Sequence, residues 1–142
     1  MSIVDAIARH LGTAGVGVYD PDNAIPKGQT TIAVGAMPSK EGAAVCVATY
    51  PGGPEPDSRG GDEFPRLQVR VRHTNPLLAL AMDRAAYDAL QFISAGEQRP
   101  RQLDGWWLQD CYALQSEAQP LGVDANGRHE YVRNYQLTCR PT

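Results

Sequence analysis

The sequence lacks the residue patterns on which several large enzyme classes depend. It contains no GxSxG, no HExxH, no Walker phosphate-binding loop and no GxGxxG, so the usual signatures of hydrolases, zinc proteases and nucleotide-binding proteins are missing. Its histidines, His10, His73 and His129, are too widely spaced for a metal-binding motif or a nucleophile dyad. These absences predict a protein that is not an enzyme and has no catalytic residues, no metal and no cofactor.

Cysteine is scarce as well. The three residues, Cys46, Cys111 and Cys139, are far apart, and none belongs to a CxxC pair. An odd number of distant cysteines argues against a disulfide framework and against a zinc site. All three lie in strand-like runs, where a free cysteine behaves as a small apolar residue. We therefore expect buried thiols in a reducing cytoplasm.

Long apolar runs and an excess of basic residues are also missing. No stretch approaches the roughly 18 apolar residues of a membrane-spanning helix, and the first residues lack the basic start and apolar run of a signal peptide. We expect no membrane association. The formal net charge is −3, from 13 basic and 16 acidic residues, which is unlike a protein that grips the phosphates of nucleic acid.

The residues that are present indicate a globular protein. Of the 142 residues, 42% are apolar and 20% are charged, which is the balance of a chain that buries a core. The length predicts a single domain over residues 1–142.

Two segments have the apolar spacing of helices. The first covers residues 3–11, with Ser2 as the N-cap and Gly12 as the stop. The second begins at Asn75-Pro76, which supplies a cap and a proline at the first helical position, and it ends at Gly96.

The second helix carries an apolar stripe that we predict to pack on the core. In this interpretation Asp83 lies away from the stripe, towards solvent. The stripe consists of Leu78, Met82, Ala85, Ala89 and Ile93.

Seven further segments read as strands. They cover residues 16–19, 31–34, 43–49, 67–74, 106–116, 120–124 and 130–140. Asn126-Gly127 between the last two is a strong hairpin signal. Runs of adjacent strands with only two helices favour an α+β fold, in which two helices pack on a mostly antiparallel sheet.

Two of these strands allow their faces to be assigned. In residues 106–116, alternation predicts one apolar face with Asp110 as an exception; that face consists of Trp106, Leu108, Tyr112 and Leu114. In the last strand, one face consists of Tyr131, Arg133, Tyr135, Leu137 and Cys139.

A long loop rich in proline and glycine separates two of the strands. Residues 50–65, here called the proline loop, hold four prolines and four glycines, so they form neither a helix nor a central strand. A loop of this length inside a compact domain is usually functional. We predict an arm that grips a neighbouring subunit. Its candidate contact residues are Tyr50, Pro54, Asp57, Arg59 and Phe64.

The strand after this loop offers a second candidate surface. Gln68, Arg70 and Arg72 share one face, opposite a face of apolar residues. Arginine and glutamine are multivalent hydrogen-bond donors. We predict that this face pairs with acidic groups of a neighbouring subunit. A solvated sheet face is the plain alternative, and a nucleic-acid groove is a third interpretation that the acidic net charge disfavours.

Several of these segments together resemble a known family. They are the string YPGGPEPD at residues 50–57, QVRVR at residues 68–72, the alanine-rich second helix, PLGVD at residues 120–124 and EYVRNY at residues 130–135. They are similar to phage minor capsid proteins of the tail terminator type, which belong to long-tailed bacteriophages. The resemblance extends from about Val4 to Arg140, and its motifs are structural rather than catalytic.

The resemblance implies a virion structural protein with defined partners. Such a protein forms a ring, a homo-hexamer, that caps the head-proximal end of the tail tube and stops its growth. It contacts the tail tube protein on one side and a head-completion or stopper protein on the other. DNA passes through the channel without specific binding. The protein is assembled in the host cytoplasm and resides in the tail or neck of the virion.

Other functions remain open at this level. Within the same class, the chain fits another neck or connector component, or a tail tube subunit. A different class is a small cytoplasmic enzyme with its site in the proline loop. A third is an oligomeric ligand-binding module that uses Trp106-Trp107, whose side chains point to opposite faces of a regular strand.

Overall fold

The computed structural model of the chain describes residues 2–22, 25, 27–39, 42–56, 61–91 and 101–142. Within these residues the chain forms two helices and seven strands, which confirms the predicted α+β class. In chain order they are α1 (Ile3–Thr13), β1 (Thr31–Val34), β2 (Ala44–Tyr50), β3 (Arg66–His73), α2 (Pro76–Leu90), β4 (Arg101–Leu103), β5 (Trp106–Ala113), β6 (Gln119–Val123) and β7 (His129–Pro141).

The strands form one sheet centred on β7. The strand order is β1-β2-β3-β7-β5-β4, and β6 also pairs with β7. Because β3 occupies one edge of β7, both β5 and β6 lie along the other edge. Every pair is antiparallel except β1 with β2, which run parallel. The sheet is therefore mostly antiparallel, as predicted, with a parallel pair at one edge that strand patterns alone do not indicate.

Most of the predicted strands are present. Five of them lie within one residue of the observed bounds of β1, β2, β3, β6 and β7. The predicted strand at residues 16–19 is reduced to a single bridge between Val18 and Thr31. β4 was not predicted, since three residues are too few to show alternation. The hairpin turn at Asn126-Gly127 is confirmed, with Gly127 at a φ of 71°.

α1 follows the predicted helix closely. The Ser2 hydroxyl accepts a hydrogen bond from the Asp5 N–H at 3.1 Å, as expected of an N-cap. The helix continues through Gly12 and ends at Thr13, so the predicted stop was early. Its apolar face packs on β1 and β2.

The core lies between the two helices and one face of the sheet, where apolar residues of β2, β3, β5 and β7 meet α1 and α2. All three cysteines are buried and free, as predicted. Burial raises the pKa of the Cys139 thiol to about 12 and also raises the pKa of the Cys111 thiol. Both therefore stay protonated and act as apolar core residues.

α2 begins as predicted and ends earlier. The Asn75 side chain accepts a hydrogen bond from a backbone N–H two residues on, at 2.9 Å, and Pro76 is the first helical residue. The helix ends at Leu90, before the predicted stop at Gly96. That stop belongs to residues 92–100, which lie outside the described residues.

The apolar stripe predicted for α2 was wrong, because it lies one residue away from the stripe that the helix buries. Leu78 is 49% exposed and Ala85 is also exposed. Met82 and Ala89 are only partly buried, and Ile93 lies outside the described residues. The residues that α2 buries are Ala79, Asp83, Ala86 and Leu90.

A buried ion pair explains this rotation of α2. Asp83 and Arg133 of β7 are 3% and 5% exposed, and the guanidinium donates hydrogen bonds of 2.8 and 3.3 Å to the carboxylate. The guanidinium also lies 4.6 Å from the ring centroid of Tyr87. Asp83 was predicted to face solvent because carboxylates are rarely buried. The rule does not hold here, because Arg133 of the distant strand β7 places a positive charge beside Asp83 in the core.

β5 departs from the predicted alternation because it contains a β-bulge. The pairing register with β7 shifts between Leu108 and Asp110, so the faces exchange beyond that point. Cys111 is buried in place of Tyr112, which is 38% exposed, and Leu114 is exposed as well. The prediction that Tyr112 and Leu114 share the face of Leu108 was therefore wrong, and the Asp110 exception marks the bulge.

Removal of one partner of the buried pair should destabilise the fold strongly. Asp83→Ala leaves the Arg133 charge buried without its carboxylate, and we expect a loss of about 3–5 kcal/mol in the free energy of unfolding. The double variant Asp83→Leu/Arg133→Met removes both charges and should regain most of this loss. Urea denaturation of the three proteins measures both effects.

A second ion pair on the same helix provides the control. Arg84 and Asp88 are bonded at 3.1 Å with side chains 67% and 59% exposed, so Asp88→Ala should cost less than about 1 kcal/mol. Equal losses for Asp83→Ala and Asp88→Ala would contradict the role assigned to the buried pair.

Candidate interaction surface

The face of the sheet that points away from the helices is polar along β3. Leu67, Val69 and Val71 point into the core, so the residues between them point to the opposite face. The pairing with β7 places Glu130 beside Arg72 and places another polar residue beside Gln68. We call this surface the polar sheet face. It consists of Arg66, Gln68, Arg70, Arg72, Glu130 and Asn134.

Arg72 is buried within the subunit. Its side chain is 3% exposed, and Nη1 donates a hydrogen bond to the Pro38 carbonyl. Pro38 belongs to the connection between β1 and β2, which has to return along the sheet because those strands are parallel. The connection covers this end of the polar sheet face. The sequence-based assignment of Arg72 as an exposed contact residue is therefore corrected: it anchors the connection.

Arg70 and Arg66 lie on the more open part of the face. The Arg70 Nη2 donates to the Glu130 carboxylate at 3.2 Å, with the two side chains 34% and 19% exposed. The Arg66 Nε donates to the Gln136 side-chain oxygen at 3.2 Å, which is a neutral partner. Both arginines are thus held in place while part of each remains accessible.

Polar atoms of this face that are buried without a hydrogen-bond partner include the Arg70 Nε and the Asn134 side-chain oxygen. Asn134 pairs with Gln68, which is two residues before Arg70 on β3. The Asn134 oxygen and the Arg70 Nε therefore belong to adjacent cross-strand pairs of the same face. Buried polar groups in folded proteins are nearly always satisfied. Because both atoms are inaccessible at the surface of the subunit, a molecule that covers this face would bind its exposed groups instead.

The second half of the proline loop, residues 61–65, is here called the return leg, and it is fixed to β7. Glu63 and Cys139 exchange backbone hydrogen bonds of 2.7 and 3.0 Å, and the Leu137 N–H donates to the Pro65 carbonyl at 3.0 Å. The Gln136 side-chain amide donates to the Phe64 carbonyl at 3.0 Å. The loop thus leaves the sheet from a defined position.

The first half of the loop, residues 50–56, is here called the outward leg, and it packs tightly against the return leg. A Cβ atom at Gly53 would lie only 2.1 Å from the Phe64 carbonyl oxygen, so only glycine fits there. A Cβ atom at Gly52 would lie 3.0 Å from the Arg66 Nη1, which places the loop beside one end of the polar sheet face.

The two legs surround a shallow cavity of about 380 Å³. Three of the predicted contact residues, Tyr50, Pro54 and Phe64, line it together, beside the carboxylates of Glu55 and Glu63. The other two predicted contact residues of the loop, Asp57 and Arg59, lie outside the described residues.

The loop and the face carry opposite charge. The described legs, residues 50–56 and 61–65, contain Glu55, Asp62 and Glu63 and no basic residue, a formal charge of −3. The polar sheet face has three arginines and Glu130, a formal charge of +2. Since the whole chain carries −3, the residues outside that face sum to −5.

Sequence patterns missed several residues of this surface. Arg66 continues the alternation of Gln68 and Arg70, and a strand started one residue earlier would have included it. Asn134 follows from the alternation of β7, opposite the face of Tyr135 and Leu137, whereas Glu130 was assigned to neither face. Their position beside β3 depends on the strand register, for which the sequence holds no signal.

The described residues contain no group of three or more histidine, cysteine, aspartate or glutamate side chains placed to hold a metal ion. In the same part of the chain, neither helix has the length and apolar character needed to cross a membrane.

Substitution of Gly53 should open the root of the proline loop. In Gly53→Ala the new methyl group collides with the Phe64 carbonyl, and we expect a loss of about 1–3 kcal/mol in the free energy of unfolding, with faster proteolysis between the two legs. Thermal unfolding and limited trypsin digestion measure these effects. Gly42→Ala is the control, because a Cβ atom there meets nothing within 4 Å. Equal behaviour of the two variants would contradict the packing described.

Comparisons with known proteins agree with this architecture. A solved chain from the "Virion of native gene transfer agent (GTA) particle" has the same fold, with a TM-score of 0.60 and 17% sequence identity over 98% of this chain and 95% of that chain. No curated protein matches the sequence. The family model described as "Bacteriophage tail terminator protein" matches residues 10–140. The chain therefore belongs to the bacteriophage tail terminator family and is a structural protein of the virion tail.

Proposed function

We propose that this protein forms a ring that caps the head-proximal end of the phage tail tube, stops tube growth and joins the tail to the head connector. The observation that carries the proposal is the match to the tail terminator family over residues 10–140, nearly the whole chain. The role is one of assembly, and no chemical step is assigned to any residue.

The surfaces of the subunit support a ring. The polar sheet face and the proline loop differ in charge and shape, so a contact between copies that uses them is heterologous, with a different surface on each side. Heterologous contacts that close by rotation give rings. A closed ring presents two unlike faces, one for the tail tube protein and one for a head-completion or stopper protein.

Exposed apolar residues support contact with other proteins. Leu77 of α2 is 74% exposed, and two further leucines of that helix are exposed as well. A second group lies on β5, β6 and the residues between them, and it comprises Tyr112, Leu114, Leu121 and Val123. Contiguous apolar surface on a soluble protein usually marks a binding site, which suits a subunit with neighbours on several sides.

The net charge suits passage of DNA through the ring. Six subunits at −3 each carry a formal charge of −18. Proteins hold DNA mainly through lysine and arginine contacts to phosphates. We expect an acidic ring to let DNA slide through its channel without specific binding.

Purified protein should form the ring in solution. Native mass spectrometry should show a species of roughly 92 kDa, six times the 15.4 kDa subunit. A monomer at every concentration tested, without any tail tube protein added, would count against a self-assembled ring.

Deletion of the gene should uncouple tail length from its normal limit. We expect over-long tube-like structures, or tails without heads, in negative-stain electron microscopy of lysates, because no ring ends tube growth or receives the head. Expression of the protein in trans should restore normal particles and serves as the control. Normal-length tails attached to heads in the deletion strain would overturn the proposed function.

A further inference from the structure

We propose that the proline loop of one copy of this chain binds the polar sheet face of the next copy, with the Glu55 carboxylate placed near Arg70. This inference rests on the proposed ring and names the two surfaces that hold it together. The occupant of the polar sheet face is thus the outward leg of the proline loop, residues 50–56, from a second copy.

The polar sheet face is incomplete in a single subunit. The Arg70 side chain is 34% exposed and bonds Glu130 through Nη2 at 3.2 Å, so its guanidinium keeps donor capacity that another molecule can use. Among the described residues, the Arg66 side chain is hydrogen-bonded only to the neutral amide of Gln136. An incoming segment needs an acceptor for these arginines, and a carboxylate is the strongest acceptor that a peptide offers.

The outward leg of the proline loop has this chemistry. Glu55 is exposed and is the one charged residue of the outward leg, against a charge of +2 on the polar sheet face. Opposite charges across an interface steer association and set the register of the partners. The prolines restrict the leg before binding, which lowers the entropy lost when it docks.

The loop does not complete the face of its own subunit. Arg70 is bonded to Glu130 of the same chain, while Glu55 remains exposed. The root of the loop is fixed to β7 through Glu63 and Cys139, at the end of the face marked by Arg66. The root of the loop therefore has a fixed position beside that end of the face.

Charge reversal on each surface provides the test. Arg70→Glu places a negative charge on the face, and Glu55→Arg places a positive charge on the loop; each should lower the amount of ring by about tenfold or more at a fixed protein concentration. Gln68→Glu is a second face variant that keeps the Arg70–Glu130 pair. Circular dichroism confirms folding, and mass photometry counts the rings.

A mixture of the two single variants is the decisive measurement. In a ring in which the two variants alternate, each contact pairs either a wild-type loop with a wild-type face or a reversed loop with a reversed face. Every contact in such a ring is therefore attractive. Equal amounts of Glu55→Arg and Arg70→Glu should therefore recover rings that neither variant forms alone. Lys27→Glu and Asp22→Arg, both between α1 and β1, are exposed controls with the same charge changes, and they should leave assembly unchanged.

The outcomes separate this inference from the proposed ring. If the wild-type protein forms rings and the single variants form them equally well, or if the mixture fails to recover them, the loop and the face do not bind each other, while the ring itself stands. If the wild-type protein forms no ring, the proposed function fails first.

Discussion

The buried ion pair between Asp83 and Arg133 determines how α2 lies on the sheet, and the outer surface of the subunit follows from it. Two charges in a core are costly unless each is bonded to the other, and here the guanidinium meets both carboxylate oxygens and the ring of Tyr87. This geometry is reached at one rotation of the helix. That rotation buries Ala79 and Ala86 and turns Leu77 and its neighbours outwards. The exposed leucines are thus a consequence of the pair and not of poor packing.

β7 connects the two halves of the candidate interaction surface. One of its faces contributes Tyr135, Leu137 and Cys139 to the core, while the other contributes Glu130 and Asn134 to the polar sheet face. The same strand holds the return leg of the proline loop through backbone hydrogen bonds. The loop and the face are therefore positioned by one rigid element, which is the arrangement that keeps a binding surface in a defined geometry.

Local features of this chain could be predicted from its sequence, and features that join distant segments could not. The Ser2 cap, the Asn75-Pro76 helix start, the hairpin turn at Asn126-Gly127 and the bounds of five strands depend on neighbouring residues, and the structure confirms them. The polar alternation of β3 was also correct.

The largest errors involve partners far apart in the chain. The burial of Asp83 depends on an arginine 50 residues later, and the burial of Arg72 depends on a carbonyl 34 residues earlier. Local periodicity has no information about either partner. The bulge in β5 left a trace, since Asp110 broke the alternation, but one polar residue does not reveal an inserted position. The lack of a partner for the Asn134 oxygen can be recognised only from the pairing of β3 with β7.

The central position of β7 has a consequence for how the chain folds. β1, β2 and β3 form one group of paired strands and β4 and β5 another, and the two groups touch through β7, which is the latest strand in chain order. A growing chain that has not yet reached residue 129 therefore holds two half-sheets with nothing between them. Its helix α2 has no Arg133 to bind, and β3 has no partner strand on the side where β7 will pair. Long-range pairing of this kind slows folding. It also leaves the polar sheet face incomplete until the last strand has been made, so that any partner that binds this face meets only finished subunits.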